Sequence, residues 1–401
     1  MEIRTLTQEE DIAYGLLGNV CFAYAPEKDY EEYPKDLDKH TKDWENKLGA
    51  FDEKGNLIAA LTVIPYNMYF DGQPVKMGGI AGVVTAPESR ATGVMSKVFG
   101  ECLRFMKEKG QIFSVLYPFS YAYYRKFGYE TAYQLRNAKI EIRAFCNYPY
   151  PKNSVRFWKK GDGYADFKAV YDVFKKSRNY AMDRDDKSWE EIMKDDMYIN
   201  KRYTYIHYDS SGKPDAYLIT KAGDNVHNVG KDVTISELAW TTNEGLYAMF
   251  GFIGGLRPTY NNVLWEVPMS LDLYTLFPEA WEISIDTPSS VQTRIMDLES
   301  VLKRLRVPSL FNGKVVLDVA DRTWPDNTGK YAVSWENGVV SAARTDQKAD
   351  MATSIEAMAQ LAIGYLTPEM AVYRKDTTIY SQHEALSALF PKKDLYLWEK
   401  F

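Results

Sequence analysis

The segment best suited to chemistry is Val83-Val84-Thr85-Ala86-Pro87-Glu88-Ser89-Arg90-Ala91-Thr92-Gly93-Val94-Met95-Ser96. A strand interrupted by Gly78, Gly79 and Gly82 runs into a loop, and Arg90-x-x-Gly93 then opens a helix. Successive backbone N–H groups at such a helix start form a nest for anionic phosphate oxygens, and the helix dipole adds to the attraction. Gly93 lets an anion approach the main chain closely. Taken alone, Arg-x-x-Gly also describes an ordinary helix start with an incidental glycine. The sequence has no Gly-x-x-x-x-Gly-Lys-Ser/Thr and no Gly-x-Gly-x-x-Gly, so kinase, NTPase and dinucleotide chemistries drop out.

A second candidate is Tyr124, in Tyr124-Arg125-Lys126-Phe127-Gly128-Tyr129. A phenol with an ordinary pKa of about 10 can donate a proton at neutral pH without being ionised. Tyr121, Tyr123 and Tyr129 are neighbours, so an aromatic cluster is the competing reading. The last residues, Leu395-Tyr396-Leu397-Trp398-Glu399-Lys400-Phe401, lack the polar, frayed character of most termini. They suggest an anchored end, with a surface strand as the alternative. Phe22, Tyr24 and Trp44 are pocket or core residues. His40, His207, His227 and His383 show no metal-ligand spacing, and Cys21, Cys102 and Cys146 are odd in number and widely spaced. No metal, zinc site or disulfide framework is expected. Asp183-Arg184-Asp185-Asp186, with Glu190, Glu191, Asp195 and Asp196, is either a lure for polyamines or, more commonly, a solvated helix face.

The elements that must position these groups read as an α/β (α+β) chain. At about 150 residues per domain, 401 residues allow two or three domains. Residues 1–145 alternate helix and strand: a capped helix after Thr7, strands around a turn at Asp71-Gly72, a helix from Gly93 to Lys109, a strand at 112–119 and a short Tyr-rich helix. Tyr148-Pro149-Tyr150-Pro151 marks a boundary. Residues 146–287 echo the strand–helix–strand order at 235–267 without a phosphate loop. From 288 onward, Ile295, Leu298, Val301, Leu302 and Leu305 suggest an amphipathic helix, followed by strands around Asn337-Gly338 and a helix capped by Ser354. The net charge of -6 argues against a nucleic-acid partner. The longest apolar stretch is too short to span a membrane. With no secretory pattern at the N-terminus, a cytoplasmic protein is expected.

Strand, Arg-x-x-Gly helix, strand and the Tyr124-x-x-Phe127-Gly128-Tyr129 turn follow the order of GNAT-superfamily N-acetyltransferases. Over essentially its full length the chain resembles the enhanced-intracellular-survival (Eis) branch, including the Arg294-Ile295-Met296-Asp297 stretch and the aromatic end. The resemblance implies tandem GNAT-like modules, the first at 1–145 binding acetyl-CoA and a degenerate second at 146–287. It further implies a sterol-carrier-protein-like domain at 288–401, a bacterial source and a hexameric ring. It implies that Val83, Val84 and Thr85 hold the pantetheine arm by their backbone and that Ala91, Thr92, Gly93, Val94, Met95 and Ser96 hold the pyrophosphate. Arg90 would add a side-chain charge, while Phe119 and Ser120 flank the thioester. At Arg90-Ala91-Thr92 the loop is less basic than family loops with consecutive arginines. The resemblance makes Tyr124 the general acid and the C-terminal carboxylate of Phe401 the general base, in acetyl transfer to an aminoglycoside-like, polyamine or lysine amine. The competing class is a non-catalytic carrier or scaffold that binds an apolar ligand through the third domain.

Overall fold

The computed structural model describes residues 1–27, 30–223 and 231–401. The first module is built on β1 (Glu2–Thr5), β2 (Lys47–Phe51), β3 (Leu57–Phe70), β4 (Gln73–Thr85), β5 (Phe113–Leu116) and β6 (Glu130–Glu141). The helix Gln8–Phe22 starts at a capping box in which Thr7 and Glu10 satisfy each other's backbone N–H groups. Asp71 and Gly72 have φ of 50° and 81°, the two left-handed residues that a tight hairpin between β3 and β4 requires. The helix Val94–Glu108 buries Val94, Met95, Val98, Phe99, Cys102, Leu103 and Met106, the i, i+3, i+4 stripe of a helix laid on a sheet. β5 is shorter than the sequence suggests, because ladder pairing stops at Leu116 and Pro118 follows.

The second module adds β7 (Val155–Phe157), β8 (Arg202–Tyr208), β9 (Pro214–Ala222), β10 (Lys231–Trp240) and β11 (Tyr260–Glu266). The two modules share one 12-stranded sheet in the order β1-β2-β3-β4-β5-β12-β6-β11-β10-β9-β8-β7, in which β12 is Ile283–Ile295. Residue 287 lies inside β12. The first part of β12 pairs with β6 at Asn137–Ile140, while Ser289–Ile295 pairs with β6 at 130–135 and with β5. A strand from the far end of the second module therefore completes the sheet of the first.

The helix expected from Ile295 onward is confined to Leu298–Leu302. Ile295 pairs with Phe113 as the last residue of β12, and Asp297 caps the helix by accepting from the Ser300 N–H. Tertiary pairing overrides the apolar period there. Arg294, on the same strand, is fully buried. It donates to the Phe127 carbonyl at 2.7 Å and to the Asp321 carboxylate at 2.8 Å. Gly128 makes this possible: a Cβ on it would come within 1.6 Å of the Arg294 guanidinium, and its φ is +78°. Breaking a buried pair of this kind costs about 3–5 kcal/mol, so the Phe-Gly-Tyr turn is held from the third domain.

That domain is a five-stranded sheet, ordered β15-β14-β13-β16-β17, made of β13 (Gly313–Ala320), β14 (Gly329–Glu336), β15 (Val339–Arg344), β16 (Met351–Ser354) and β17 (Thr377–Ile379). Its helix Ile355–Ile363 is capped by Ser354 and nearly all buried. It packs on β6 and β12, and Gln360 donates to the Thr131 carbonyl at 2.6 Å. One apolar cluster runs from Met68, Phe70 and Phe113 of the first module to Leu317, Met358 and Leu397, so the third domain shares a core with the first module.

Candidate active site

β4 and β5 run parallel but pair only from Met77↔Phe113 to Ile80↔Leu116. Beyond Ile80 they part, leaving residues 81–85 of β4 bonded to β3 alone. Gly82 produces the divergence: its φ is +55°, and the β3 register shifts between Ala60 and Thr62 beside it. Its carbonyl accepts from the Tyr14 hydroxyl at 2.8 Å, and a Cβ there would lie 2.0 Å from that oxygen. The gap opens into a cavity of about 760 Å³ lined by Val83, Thr85, Arg90, Gly93, Met95 and Phe119, among others.

The expected residues fall around this cavity in distinct ways. Val83 and Thr85 line it, and Val84 alternates to the other face, buried with Leu6, Tyr14 and Phe51. Ala91 and Gly93 are left-handed, with φ of 61° and 80°. The N–H groups of Gly93, Val94, Met95 and Ser96 make no hydrogen bond among the described residues. The helix they open has neither a side-chain cap nor an acid in its first turn. Its positive end is therefore free for an anion, and this is the observation that fits a pyrophosphate. Thr92 closes the loop through the Ser89 carbonyl, and exposed Arg90 reaches back to the Thr85 carbonyl at 3.4 Å. Phe119 is 74% exposed and lines the cavity, while the Ser120 hydroxyl caps the next helix by accepting from the Tyr123 N–H.

Tyr124 lies on that helix, Tyr121–Arg125, with its ring against Phe99 and Phe119 at centroid distances of 5.8 and 5.4 Å. Its hydroxyl makes no hydrogen bond among the described residues. Burial, with Tyr123 beside it, pushes its pKa well above the ordinary phenol value. The proton therefore stays on the oxygen at neutral pH; Tyr124 is buried and does not line the cavity, which its neighbours Phe119 and Tyr123 do.

The chain end is anchored. Asn179 bonds the backbone on both sides of Leu395, and the Tyr396 hydroxyl donates to Glu237 at 2.9 Å. The Trp398 indole donates to the Ser236 carbonyl. Arg184 joins Glu399 and Glu237 at 2.9 and 2.8 Å. The Glu399 carbonyl accepts from the Tyr117 hydroxyl at 2.9 Å, and Lys400 pairs with Glu266 at 2.6 Å. The Phe401 ring then lies against Tyr66 and Tyr117, at 5.4 and 5.3 Å. It also covers Gly79, where a Cβ would sit 3.0 Å from the ring. Phe401 thus rests on β3, β4 and the end of β5, and Tyr124 touches Phe119 two residues beyond Tyr117.

Sequence reasoning did not single out Tyr66, Tyr117, Arg184 or Glu237. Their only signals were strand position and, for Arg184, a cation inside an acidic run. The acids of that run are solvated, with Asp183, Asp185, Asp186, Glu190 and Glu191 all exposed. Asp183 pairs with Lys175 and Asp186 with Lys168, Asp185 and Asp196 cap helices, and Arg184 is the buried member. Phe22 lines the cavity, with Tyr24 6.0 Å away ring to ring, and Trp44 does not line it. His40 stacks on Tyr33, and His207 bonds Asp215 at 2.5 Å. His227 lies outside the described residues. Among the described residues there is no cluster of His, Cys, Asp or Glu able to hold a metal, and no helix long and apolar enough to cross a membrane.

Residues 2–132 match an acetyltransferase (GNAT) domain, residues 181–305 a second acetyltransferase (GNAT) domain and residues 298–398 a sterol carrier protein domain. No curated protein matches the chain significantly. Among solved structures, a GCN5-related N-acetyltransferase from Anabaena variabilis aligns over 100% of both chains, with a TM-score of 0.84 at 22% identity. A protein of unknown function from Enterococcus faecalis, a probable N-acyltransferase, covers 99% of this chain and 97% of its own, with a TM-score of 0.80 at 22% identity. Eis1 from Mycobacterium abscessus aligns over 100% of both chains, with a TM-score of 0.80 at 16% identity. At these identities the likeness is one of fold.

Proposed function

We propose that this acetyltransferase, a chain of two GNAT domains and a sterol carrier protein domain, moves the acetyl group of acetyl-CoA to a primary amine by direct attack in its first module. The observation that carries the reading is the open gap between β4 and β5, with four N–H groups at its helix end unbonded among the described residues. The Phe401 ring rests on Tyr66, Tyr117 and Gly79, where the two strands still pair. In this reading the backbone of Val83–Thr85 runs beside the pantetheine arm, and residues 91–96 receive the pyrophosphate. Tyr124 and the α-carboxylate of Phe401 are the proton-transfer groups. The carboxylate takes a proton from the amine as its nitrogen bonds to the acetyl carbonyl carbon. The C–S bond breaks, and the Tyr124 phenol gives its proton to the departing thiolate. Burial keeps the phenol protonated until the thiolate develops beside it.

A second cavity of about 810 Å³ lies under the tail, lined by Glu237, Glu266 and Asp286 with Lys139 and Lys400. The shared core of the first module and the third domain supports a structural role for the latter, in place of the carrier alternative.

The test is thiol release from acetyl-CoA against a panel of aminoglycosides, linear polyamines, lysine peptides and neutral alcohols. Release with cationic amines alone is the expected result. Release with alcohols alone, or with none of the panel, would reject the amine reading.

A further inference from the structure

The second module repeats the strand geometry of the first. β10 and β11 run parallel and pair only as far as Ile235↔Trp265. The β9 register shifts between Ile235 and Glu237, so Ser236–Trp240 has no strand on the β11 side, as residues 81–85 have none on the β5 side. The two gaps differ in what they hold. In the first, none of the described residues bonds the N–H groups at the helix start. In the second, the helix Asn243–Gly254 carries its own side-chain cap. Its N-cap Thr242 accepts from the Gly245 N–H at 2.9 Å and donates to Asp215 at 2.8 Å, and Glu244 lies in its first turn. The Asp215 carboxylate, 2% exposed, lies so close under this turn that a Cβ on Gly245 would be 2.8 Å from it. A negative group belonging to the chain already sits where a phosphate would go.

The C-terminal segment lies along this gap and forms one wall of the cavity there. Trp398 and Tyr396 bond Ser236 and Glu237 of β10, and Lys400 bonds Glu266 at the end of β11. Arg184, whose side chain is 2% exposed, ties Glu237 to Glu399 and lies 3.9 Å from the Tyr171 ring and 4.8 Å from that of Trp398. From here the segment crosses to Tyr117 and the Phe401 seat on the first module. We infer that the second acetyltransferase module is the receptor for the chain's own C-terminal segment: its strand gap takes up residues 396–400 in place of a cofactor and so fixes Phe401 in the first module's active site. Arg184, Tyr396 and Trp398 are then positioning residues for the reaction, acting through Phe401. This rests on the assignment of the Phe401 carboxylate as the base.

The test combines three proteins. In the double variant Tyr396→Phe, Trp398→Phe the Tyr396 ring stays, a phenyl replaces the Trp398 indole, and both hydrogen bonds to β10 go. Displacing a reacting group by about 1 Å can cost about 10²-fold in rate. We expect kcat to fall by about that factor while the KM for acetyl-CoA stays at the native value, a split that a general loss of structure would not produce. A chain extended by two glycines after Phe401 separates the two claims. If the extended chain is inactive and the double variant keeps full kcat, the receptor role is wrong and the base assignment stands. If the extended chain is fully active, the base assignment falls and the receptor role loses its purpose. The native protein supplies a check independent of folding in the variants: coenzyme A should titrate to one site per chain, and two sites per chain would overturn the inference.

Discussion

Extending the chain by a few residues beyond Phe401 should reduce kcat by about 10²–10⁴-fold, the usual contribution of a positioned proton acceptor, while leaving acetyl-CoA affinity unchanged. The α-carboxylate of Phe401 becomes a neutral amide in such a chain, and an amide cannot accept the amine proton. The phosphate cradle at 91–96 and the strand gap are built from other elements, so binding should survive. The Phe401 ring, seated on Tyr66, Tyr117 and Gly79, can remain where it is. The variant therefore removes the charge with little change in packing. Steady-state kinetics beside calorimetry of acetyl-CoA binding would read both quantities. An extended chain that turns over at the native rate would remove the carboxylate from the mechanism.

Tyr124→Phe should lower kcat by a similar factor, again about 10²–10⁴-fold. Its hydroxyl is engaged with no other described group, so deleting it leaves no partner stranded. Its ring contacts with Phe99, Phe119 and Tyr123 are retained by phenylalanine. Stability should change little, and any loss of rate reports on the proton. The pH dependence has a definite sign. Burial raises the phenol's pKa, so the acid form persists as pH rises and is lost only above the ordinary tyrosine value of about 10. The native kcat should hold on the alkaline side up to that pH. A fall setting in near neutrality that disappears in Tyr124→Phe would show an activated, low-pKa tyrosine instead. Unchanged turnover in the variant would exclude Tyr124 as the acid.

Much of the first module was legible in the sequence because its signals are local. Thr7 with Glu10, Asp71-Gly72, and the 3.6-residue period after Gly93 depend on neighbours a few positions away. The same is true of Asn337-Gly338 and the Ser354 cap in the third domain. What sequence reading missed is long-range. Nothing near Ile295 announces that it ends a strand inserted between β5 and β6. Gly128 looks like a turn glycine, yet it is also the space for an arginine 166 positions away. Arg184 reads as one charge among acids, whereas it is a buried clamp on the tail. For the cofactor loop, composition suggested weak phosphate attraction, since Arg90 is followed by Ala91 and Thr92. The main-chain donors expected from the Arg90-x-x-Gly93 helix start are a matter of pattern, which composition does not register, and those of 93–96 are unbonded among the described residues. The aromatic end hinted at an anchored tail, but its seat is formed by Tyr66, Gly79 and Tyr117, brought together only by the splayed sheet.

The most direct test of the account is a calorimetric titration of the chain with acetyl-CoA. Binding with a Kd on the order of micromolar (about -8 kcal/mol), weakened by salt as a phosphate contact requires, is the predicted result. The absence of any binding heat, with no protection of the gap residues from proteolysis by added acetyl-CoA, would contradict the claim that the free N–H groups at 93–96 and the open strands beside them form a cofactor site.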